Sequence, residues 1–159
     1  LTRADQITES ELSAMKQEIG FIASDVPLMI SRFRPTGWLT LDGSKVSLEE
    51  LTNKPMTACC GIGNPDGFRN TLCAIGCDVK SFVEFADHHH YDEQDIASLA
   101  GVLKQEQVET LVMTLKDLVK FPQHSLPEFT VAALLIEWDI LEGEEALEKL
   151  IAIGQSDAQ

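Results

Sequence analysis

The spacing of hydrophobic positions changes along this chain, and each change predicts a different element. Between residues 8 and 23, apolar residues recur every three or four positions, which is the helical period. Thr8 and Glu11 have the spacing of a capping box at the start of this helix. Residues 26–41 are instead rich in β-branched and aromatic residues around residues 35–37, which predicts two extended segments joined by a turn.

From residue 56 onward, short apolar runs alternate with helix signals. Asn64 and Pro65 suit the start of a helix, Gly76 suits its end, and Asp92 can cap the next helix. Such alternation predicts an α/β fold, a three-layer α/β/α sandwich with a mostly parallel sheet. Strands are predicted at 56–60, 79–85, 110–114 and 129–136, and helical segments at 64–76, 92–103, 115–121 and 142–153.

Length and charge narrow the class of protein. The 159 residues fit one domain, and the formal net charge of −14 argues against nucleic acid or anionic lipid as a partner, because both demand a basic surface. No apolar run approaches the length of a membrane span, and no signal-peptide h-region follows the polar start. The chain opens with Leu1 rather than Met, which suggests a piece of a longer protein.

The four cysteines do not have the spacing of a metal site. A zinc knuckle needs two short Cys pairs, and the adjacent residues Cys59 and Cys60 do not form such a pair. Cys73 and Cys77 are spaced like one face of a helix. Reduced thiols in a cytosolic core are therefore expected, with no metal.

Three polar clusters follow three of the predicted strands. Because the carboxyl ends of parallel strands meet at one edge of a sheet, we expect all three clusters to lie together there. The clusters are Gly61-Ile62-Gly63-Asn64, then Asp87-His88-His89, then Thr114 with Lys116-Asp117.

The glycine cluster permits two interpretations. It is not a P-loop, because no Gly-Lys-Ser/Thr follows, and Asp66 stands where a dinucleotide fingerprint has its third glycine. It can be a tight strand-to-helix turn, or a helix start whose amides bind an anion.

The third cluster also permits two interpretations. Lys116 and Asp117 can form an ion pair that caps the strand, or Lys116 can contact a substrate phosphate.

The histidine cluster has more alternatives. Its residues can be a solvated loop, a metal site or a proton-transfer site. Adjacent residues of an extended segment point to opposite faces, so His88, His89 and His90 do not easily bind one ion. The Asp-His-His phosphoesterases need further aspartates at earlier strand ends, and residues 56–63 offer none. What is left is a single imidazole poised for proton transfer or charge contact, with Asp87 beside it.

The three clusters, in this order, resemble a known family. The segments CGIGNPDGFRNTLCAIGCDV, FADHHHYDEQDI and LVMTLKDLVK are similar to the C-terminal half of the tetraacyldisaccharide 4'-kinases, the lipid A 4'-kinases of Gram-negative bacteria. The opening LTRAD resembles the end of that family's N-terminal half, so the similarity covers nearly the whole chain. One departure is Leu115, where the family usually carries glutamate.

This resemblance implies an activity and its participants. The family is a transferase of lipid A biosynthesis that moves the γ-phosphoryl of ATP to the 4'-hydroxyl of a tetraacylated glucosamine disaccharide. It works at the cytoplasmic face of the inner membrane. Its ATP-binding loop and Mg²⁺ ligands lie in an N-terminal P-loop lobe that is absent from this sequence. The resemblance therefore implies that this chain alone is inactive, and that its partners are that lobe and the lipid A precursor.

The resemblance also assigns residues and parts. His88 matches the family's catalytic histidine, whose carboxylate partner belongs to the missing half, while His89 and His90 serve as support and loop. Residues 1–25 would be an entry segment and helix, 26–45 a two-stranded connector and 46–159 the α/β lobe. Residues expected to line the site are Gly61, Gly63, Asn64, Asp87, His89, Thr114, Lys116 and Asp117.

Two other hypotheses compete with the kinase fragment. The chain could be a stand-alone binding or interaction domain that keeps the lobe without the chemistry. It could also be a metal-dependent hydrolase that uses residues 88–90. A P-loop encoded upstream of Leu1 would favour the kinase, and a start codon beside Leu1 would favour the stand-alone domain.

Overall fold

The computed structural model describes residues 1–148 and 151, and its organising element is a mixed sheet of six strands. A 3₁₀ turn at Ala4–Gln6 precedes the first helix. The strands are β1 (Ile30–Thr40), β2 (Lys45–Val46), β3 (Pro55–Cys60), β4 (Asp78–Glu84), β5 (Thr110–Thr114) and β6 (Thr130–Glu142). The helices are α1 (Glu9–Ile22), α2 (Leu48–Thr52), α3 (Pro65–Ala74), α4 (Glu93–Glu106) and α5 (Leu115–Leu118).

Most of the sheet is parallel. The strand order is β2-β1-β6-β5-β3-β4, in which β3 pairs in parallel with both β4 and β5, and β5 with β6. The pair of β1 and β2 is antiparallel. Parallel strands are covered on both faces, and this accounts for the uninterrupted apolar run that ends β3. The predicted α/β fold with a mostly parallel sheet flanked by helices is confirmed.

Successive residues of β3 and β5 belong to two separate hydrophobic cores, one on each face of the sheet. Cys59, Leu111 and Met113 join the core on the side of α4. Ala58 and Val112, their immediate neighbours in sequence, join the core on the side of α3. This period of two follows from the pleat, which sends successive side chains to opposite faces.

The helix starts agree with the capping signals in the sequence. The side chain of Asn64 accepts a hydrogen bond from the Gly67 N–H at 2.9 Å, and Pro65 is the first residue of α3. Asp92 caps α4, and Thr8 with Glu11 forms the expected capping box of α1. These side chains satisfy backbone N–H groups that have no partner inside the helix, so they determine where the helices begin.

The chain divides into two structural units. One comprises residues 1–34 and 137–159, and the other residues 35–136. In the first unit, no residue of α1 is fully buried, and Ile22 is 76% exposed. Arg32 and Arg34 of β1 form ion pairs with Asp139 and Glu137 of β6. The assignment of 1–25, 26–45 and 46–159 to parts of a two-lobe kinase stays a prediction.

The turn predicted at residues 35–37 is wrong, because β1 continues through Pro35 without interruption. β2 pairs with residues 38–39 of β1, so Pro35 lies outside that antiparallel pair. Gly37 allows β1 to pack closely against β2 and does not form a turn. A Cβ at Gly37 would lie 2.8 Å from the Val46 carbonyl oxygen. The chain reverses later, at Gly43, where φ is +88°.

The end of the chain also differs from its prediction. β6 extends to Glu142, six residues beyond the predicted strand end at 136, and residues 144–148 are helical. The remainder of the helix predicted at 142–153 falls largely outside the described residues. Within the described part, no helix combines the length and apolarity needed to cross a bilayer.

The cysteines differ sharply in exposure, which predicts a labelling pattern. Cys59 and Cys60 are buried and Cys73 is exposed, and all four thiols in the described chain are free. Burial raises the pKa of Cys60 to about 11 and raises that of Cys59 further, so neither forms a thiolate near neutral pH. We expect a thiol reagent to modify Cys73 rapidly in the folded chain, and Cys59 and Cys60 only after unfolding.

Mass spectrometry of the labelled peptides would check this pattern. The matched control is Cys73→Ser, which should remove the fast phase and leave the slow one unchanged. Rapid modification of Cys60 in the folded protein would contradict the burial of β3.

Candidate active site

The candidate site lies where the connections of two neighbouring parallel strands diverge. The chain leaves β3 into α3, whose Phe68 and Leu72 pack on one face of the sheet. It leaves β5 into α5, whose Leu118 packs on the other face. Such a divergence at the carboxyl ends of adjacent strands is the topological switch point where α/β sheets bind ligands.

Gly61 connects the three polar clusters at this edge. Its N–H donates to Asp117 Oδ1 at 3.1 Å, and its carbonyl accepts from the His88 N–H at 3.2 Å. A Cβ at Gly61 would lie 3.0 Å from His89 Cβ and 3.1 Å from the Ala86 carbonyl oxygen. The clusters after β3, β4 and β5 therefore meet at one edge of the sheet, as their spacing predicts.

Asp117 lies inside the protein, with no exposed surface. Its Oδ2 accepts from the Thr114 hydroxyl at 2.6 Å, and Thr114 Oγ1 in turn accepts from the Asp117 N–H at 3.3 Å as the cap of α5. Among the described residues, Lys116 forms no ion pair with this carboxylate. The strand-capping ion pair considered above is therefore replaced by hydrogen bonds, and Lys116 is exposed.

His88 is exposed to solvent, in contrast to His89 beside it. Its side chain is 82% exposed, and its backbone has φ of +60°, in the left-handed region. The His88 N–H donates to Asp87 Oδ1 at 3.0 Å as well as to Gly61, while its ring Nε2 lies 3.8 Å from Asp87 Oδ2. The backbone is thus anchored, and the imidazole projects outward beside a carboxylate.

His89 is held by contacts that His88 lacks. Its Nε2 lies 2.7 Å from Asp95 Oδ2, and its ring stacks on Phe85 with centroids 4.6 Å apart. An ionised carboxylate only accepts hydrogen bonds, so Nε2 carries the proton. His90 is exposed. His88 and His90 are therefore both exposed, and only His89 between them is held by a carboxylate and a stacked ring.

Asp95 is a site residue that sequence reasoning missed. Its carboxylate also accepts the Asp92 N–H at 3.0 Å, which closes the capping box of α4. These bonds, first that from the Asp92 backbone and then that from His89, lower the pKa of Asp95. The spacing of Asp92 and Asp95 in the sequence signals the capping box, but nothing in it signals the bond to His89.

Tyr91 and Cys60, which lie beside the site, are kept neutral. Burial raises the pKa of Tyr91, and the nearby Cys59 and Asp117 raise it further. Burial, Asp117 and Glu84 together raise that of Cys60. A negative charge on any of these groups would lie close to the buried carboxylate, so they offer no nucleophile near neutral pH.

The described residues do not fit the phosphates and metal of Mg-ATP. The Gly61 amide is already used by Asp117, and Asp87 Oδ2 would lie 3.3 Å from a Cβ at Gly63. Carboxylates on both sides of the glycine turn repel an anion. In the described part of the chain, no group of three or more His, Cys, Asp or Glu side chains is arranged to hold a metal ion.

Fold and site together define a doubly wound α/β domain with its polar residues at the switch point of a parallel sheet. A family model described as tetraacyldisaccharide-1-P 4'-kinase matches residues 1–154. The chain therefore belongs to the tetraacyldisaccharide-1-P 4'-kinase family, as the resemblance of its three clusters indicated.

Individual relatives agree with this assignment. The tetraacyldisaccharide 4'-kinase of Syntrophus aciditrophicus is 35% identical over 95 residues, which is 59% of this chain and 25% of the relative. That of Phenylobacterium zucineum is 32% identical over 125 residues, covering 77% of this chain and 34% of the relative. The chain thus spans only a quarter to a third of the length of these curated relatives.

A solved structure shares the fold. A crystal structure of LpxK from Aquifex aeolicus in complex with ATP superposes with a TM-score of 0.50 at 26% identity. The match covers 77% of this chain and 35% of that protein.

The contacts of the two glycines predict a large effect of Gly61→Ala and a small effect of Gly63→Ala. Gly61→Ala should lower the free energy of unfolding by about 1 to 3 kcal/mol, because its Cβ meets backbone and the Cβ of His89. Gly63→Ala should cost less than about 0.5 kcal/mol, because it meets only the tip of the exposed Asp87 side chain. Neither glycine has a positive φ, so backbone strain does not contribute.

Urea unfolding of the two variants, followed by circular dichroism, would measure both effects. Gly63→Ala is the matched control for the added methyl group. Equal stability of the two variants would mean that the close approach of Gly61 to the histidine cluster is absent in solution.

Proposed function

We propose that this chain is the C-terminal, substrate-side lobe of a tetraacyldisaccharide 4'-kinase, and that His88 acts on the 4'-hydroxyl of the lipid A precursor. The observation that carries the proposal is the contrast between two adjacent histidines. His88 projects from an anchored backbone into solvent, while His89 is tied to Asp95. An accessible imidazole at the switch point is suited to meet a substrate that approaches from outside this lobe.

In this proposal, His88 accepts a proton and stabilises charge. A sugar hydroxyl attacks a phosphoryl group better when its proton is withdrawn, and a ring nitrogen of neutral His88 can accept that proton. The Asp87 carboxylate lies beside this ring, with its Oδ2 3.8 Å from Nε2. ATP is the phosphoryl donor in this proposal, and it binds with Mg²⁺ on a P-loop lobe of the same polypeptide.

The wider assignment follows from family membership. The reaction belongs to lipid A biosynthesis, and the full-length kinase would act at the cytoplasmic face of the inner membrane. Lys116, which is exposed at the same edge, is a candidate contact for a substrate phosphate. Gly63, Asn64, Asp87 and Thr114 are proposed to shape the edge around it.

Replacing His88 should affect turnover far more than substrate binding. In the full-length kinase, we expect His88→Ala to lower kcat by about 10² to 10⁴-fold, or roughly 3 to 5 kcal/mol of barrier, with a smaller change in KM. His90→Ala should cost much less, because in this proposal His90 is a loop residue with no role in the chemistry. Steady-state kinetics with both substrates varied would measure these effects.

His88→Asn provides the matched control for the backbone. Asparagine tolerates the left-handed region as alanine does not, so it removes the imidazole while keeping the turn. We expect kcat to fall as far in His88→Asn as in His88→Ala. A kcat near wild type in either variant, or an equal loss in His90→Ala, would assign the wrong histidine or the wrong role.

The chain by itself should bind Mg-ATP only weakly and transfer no phosphoryl group. The physical reason is that its glycine turn is closed by Asp117 and flanked by carboxylates. Calorimetric titration of Mg-ATP into the purified chain would test this, with the full-length kinase as the positive control. Micromolar binding of Mg-ATP to the isolated chain would contradict the proposal that the P-loop lobe, and not this chain, binds the nucleotide.

A further inference from the structure

We infer that Asp117 is a positioning residue for His88, and that it acts through Gly61. The inference rests on the proposed function of His88, but its structural part can be tested without activity. Asp117 has no exposed surface, so it cannot touch a substrate in this conformation. Its influence on the chemistry must pass through its hydrogen-bond partners.

Those partners form a short relay from the protein interior to the site. Asp117 Oδ1 accepts the Gly61 N–H at 3.1 Å, and the Gly61 carbonyl accepts the His88 N–H at 3.2 Å. Both bonds belong to one residue without a side chain, and a Cβ there would meet Asp117 Oδ1 at 3.3 Å. A shift of Gly61 therefore changes its bonds to Asp117 and to His88 together.

The inner end of the relay is rigid. The Thr114 hydroxyl donates to Asp117 Oδ2 at 2.6 Å, and the Asp117 N–H donates back to that hydroxyl oxygen at 3.3 Å. A buried carboxylate is costly unless donors satisfy it, and bonds to a charged acceptor are stronger than neutral ones. Asp117 is thus a fixed point at the end of β5 against which the turn after β3 is held.

His88, at the outer end of the relay, depends on the support that Asp117 gives through Gly61. The His88 ring is 82% exposed, so few contacts of its own hold it. Its left-handed backbone, with φ of +60°, is unfavourable for a residue other than glycine and must be held by its surroundings. The two acceptors of its N–H are the Gly61 carbonyl and Asp87 Oδ1, and the first of them is the one that Asp117 controls.

The first experiment examines this chain by NMR spectroscopy. Asp117→Ala should move the amide protons of both Gly61 and His88 upfield, because an amide proton that loses its hydrogen bond is less deshielded. Asp117→Asn should move them much less, because the side-chain amide keeps an oxygen that can accept from Gly61. Thr114→Val tests the relay from its other side and should shift the same two amides in the same direction.

Thr57→Val is the matched control. Thr57 is also a buried polar residue of this sheet, and its hydroxyl forms no hydrogen bond within the described residues. The substitution should leave the Gly61 and His88 amides unchanged. If Asp117→Ala does not fold, Thr114→Val decides the structural question. An unmoved His88 amide in a variant whose Gly61 amide has shifted would overturn the relay.

The second experiment measures turnover in the full-length kinase. Asp117→Ala should lower kcat by about 10- to 100-fold with KM nearly unchanged, because a displacement of about 1 Å can cost ~10²-fold in rate. Asp117→Asn should recover most of that loss. In a His88→Ala background, Asp117→Ala should add less than about 2-fold, because the residue through which it acts is already gone.

The outcomes separate the two proposals. Independent, multiplying effects of Asp117 and His88 on kcat would show that Asp117 does not act through His88. Loss of stability with an unchanged kcat would show a structural role alone, and would also overturn the inference. If the full-length kinase keeps its turnover in His88→Ala, the proposed function fails while the NMR result still decides whether the relay exists.

Discussion

The hydrogen bond from the Gly61 amide to the buried carboxylate of Asp117 joins the ends of two neighbouring parallel strands. At a switch point the connections of such strands diverge, so the edge would otherwise be open. The bond links the two strand ends across this edge. It occupies the Gly61 N–H, which is then not available to a phosphate. It also requires a residue without a side chain at position 61.

Negative charge shapes the chemistry around this bond. The Asp117 carboxylate adds to burial in keeping Cys59, Cys60 and Tyr91 protonated, because a second negative charge in the interior would be repelled. These three buried groups are therefore poor nucleophiles near neutral pH, and the groups suited to proton transfer are those of the histidine cluster. There, His89 is committed to Asp95 and to stacking on Phe85, which leaves His88 as the accessible imidazole of the pair.

The match to the tetraacyldisaccharide-1-P 4'-kinase family extends over residues 1–154. The chain spans a quarter to a third of its curated relatives, and among its described residues no three or more His, Cys, Asp or Glu side chains are arranged to hold a metal ion. In the proposed function, this chain supplies the proton acceptor and a second lobe supplies the nucleotide.

The sequence by itself determined the parallel sheet, its helix starts and the meeting of the three polar clusters. These features depend on local patterns: short apolar runs in β3 and β5, caps such as Asn64, and the rule that parallel strands end at one edge. It mispredicted the role of Pro35 and Gly37, because a turn and a strand that packs closely on its neighbour favour the same residue types. Only the tertiary structure decided that Asp117 is buried and bonded to Gly61, and that His89 is bonded to Asp95. Those contacts join residues from separate elements, and their distances are set by how the elements pack.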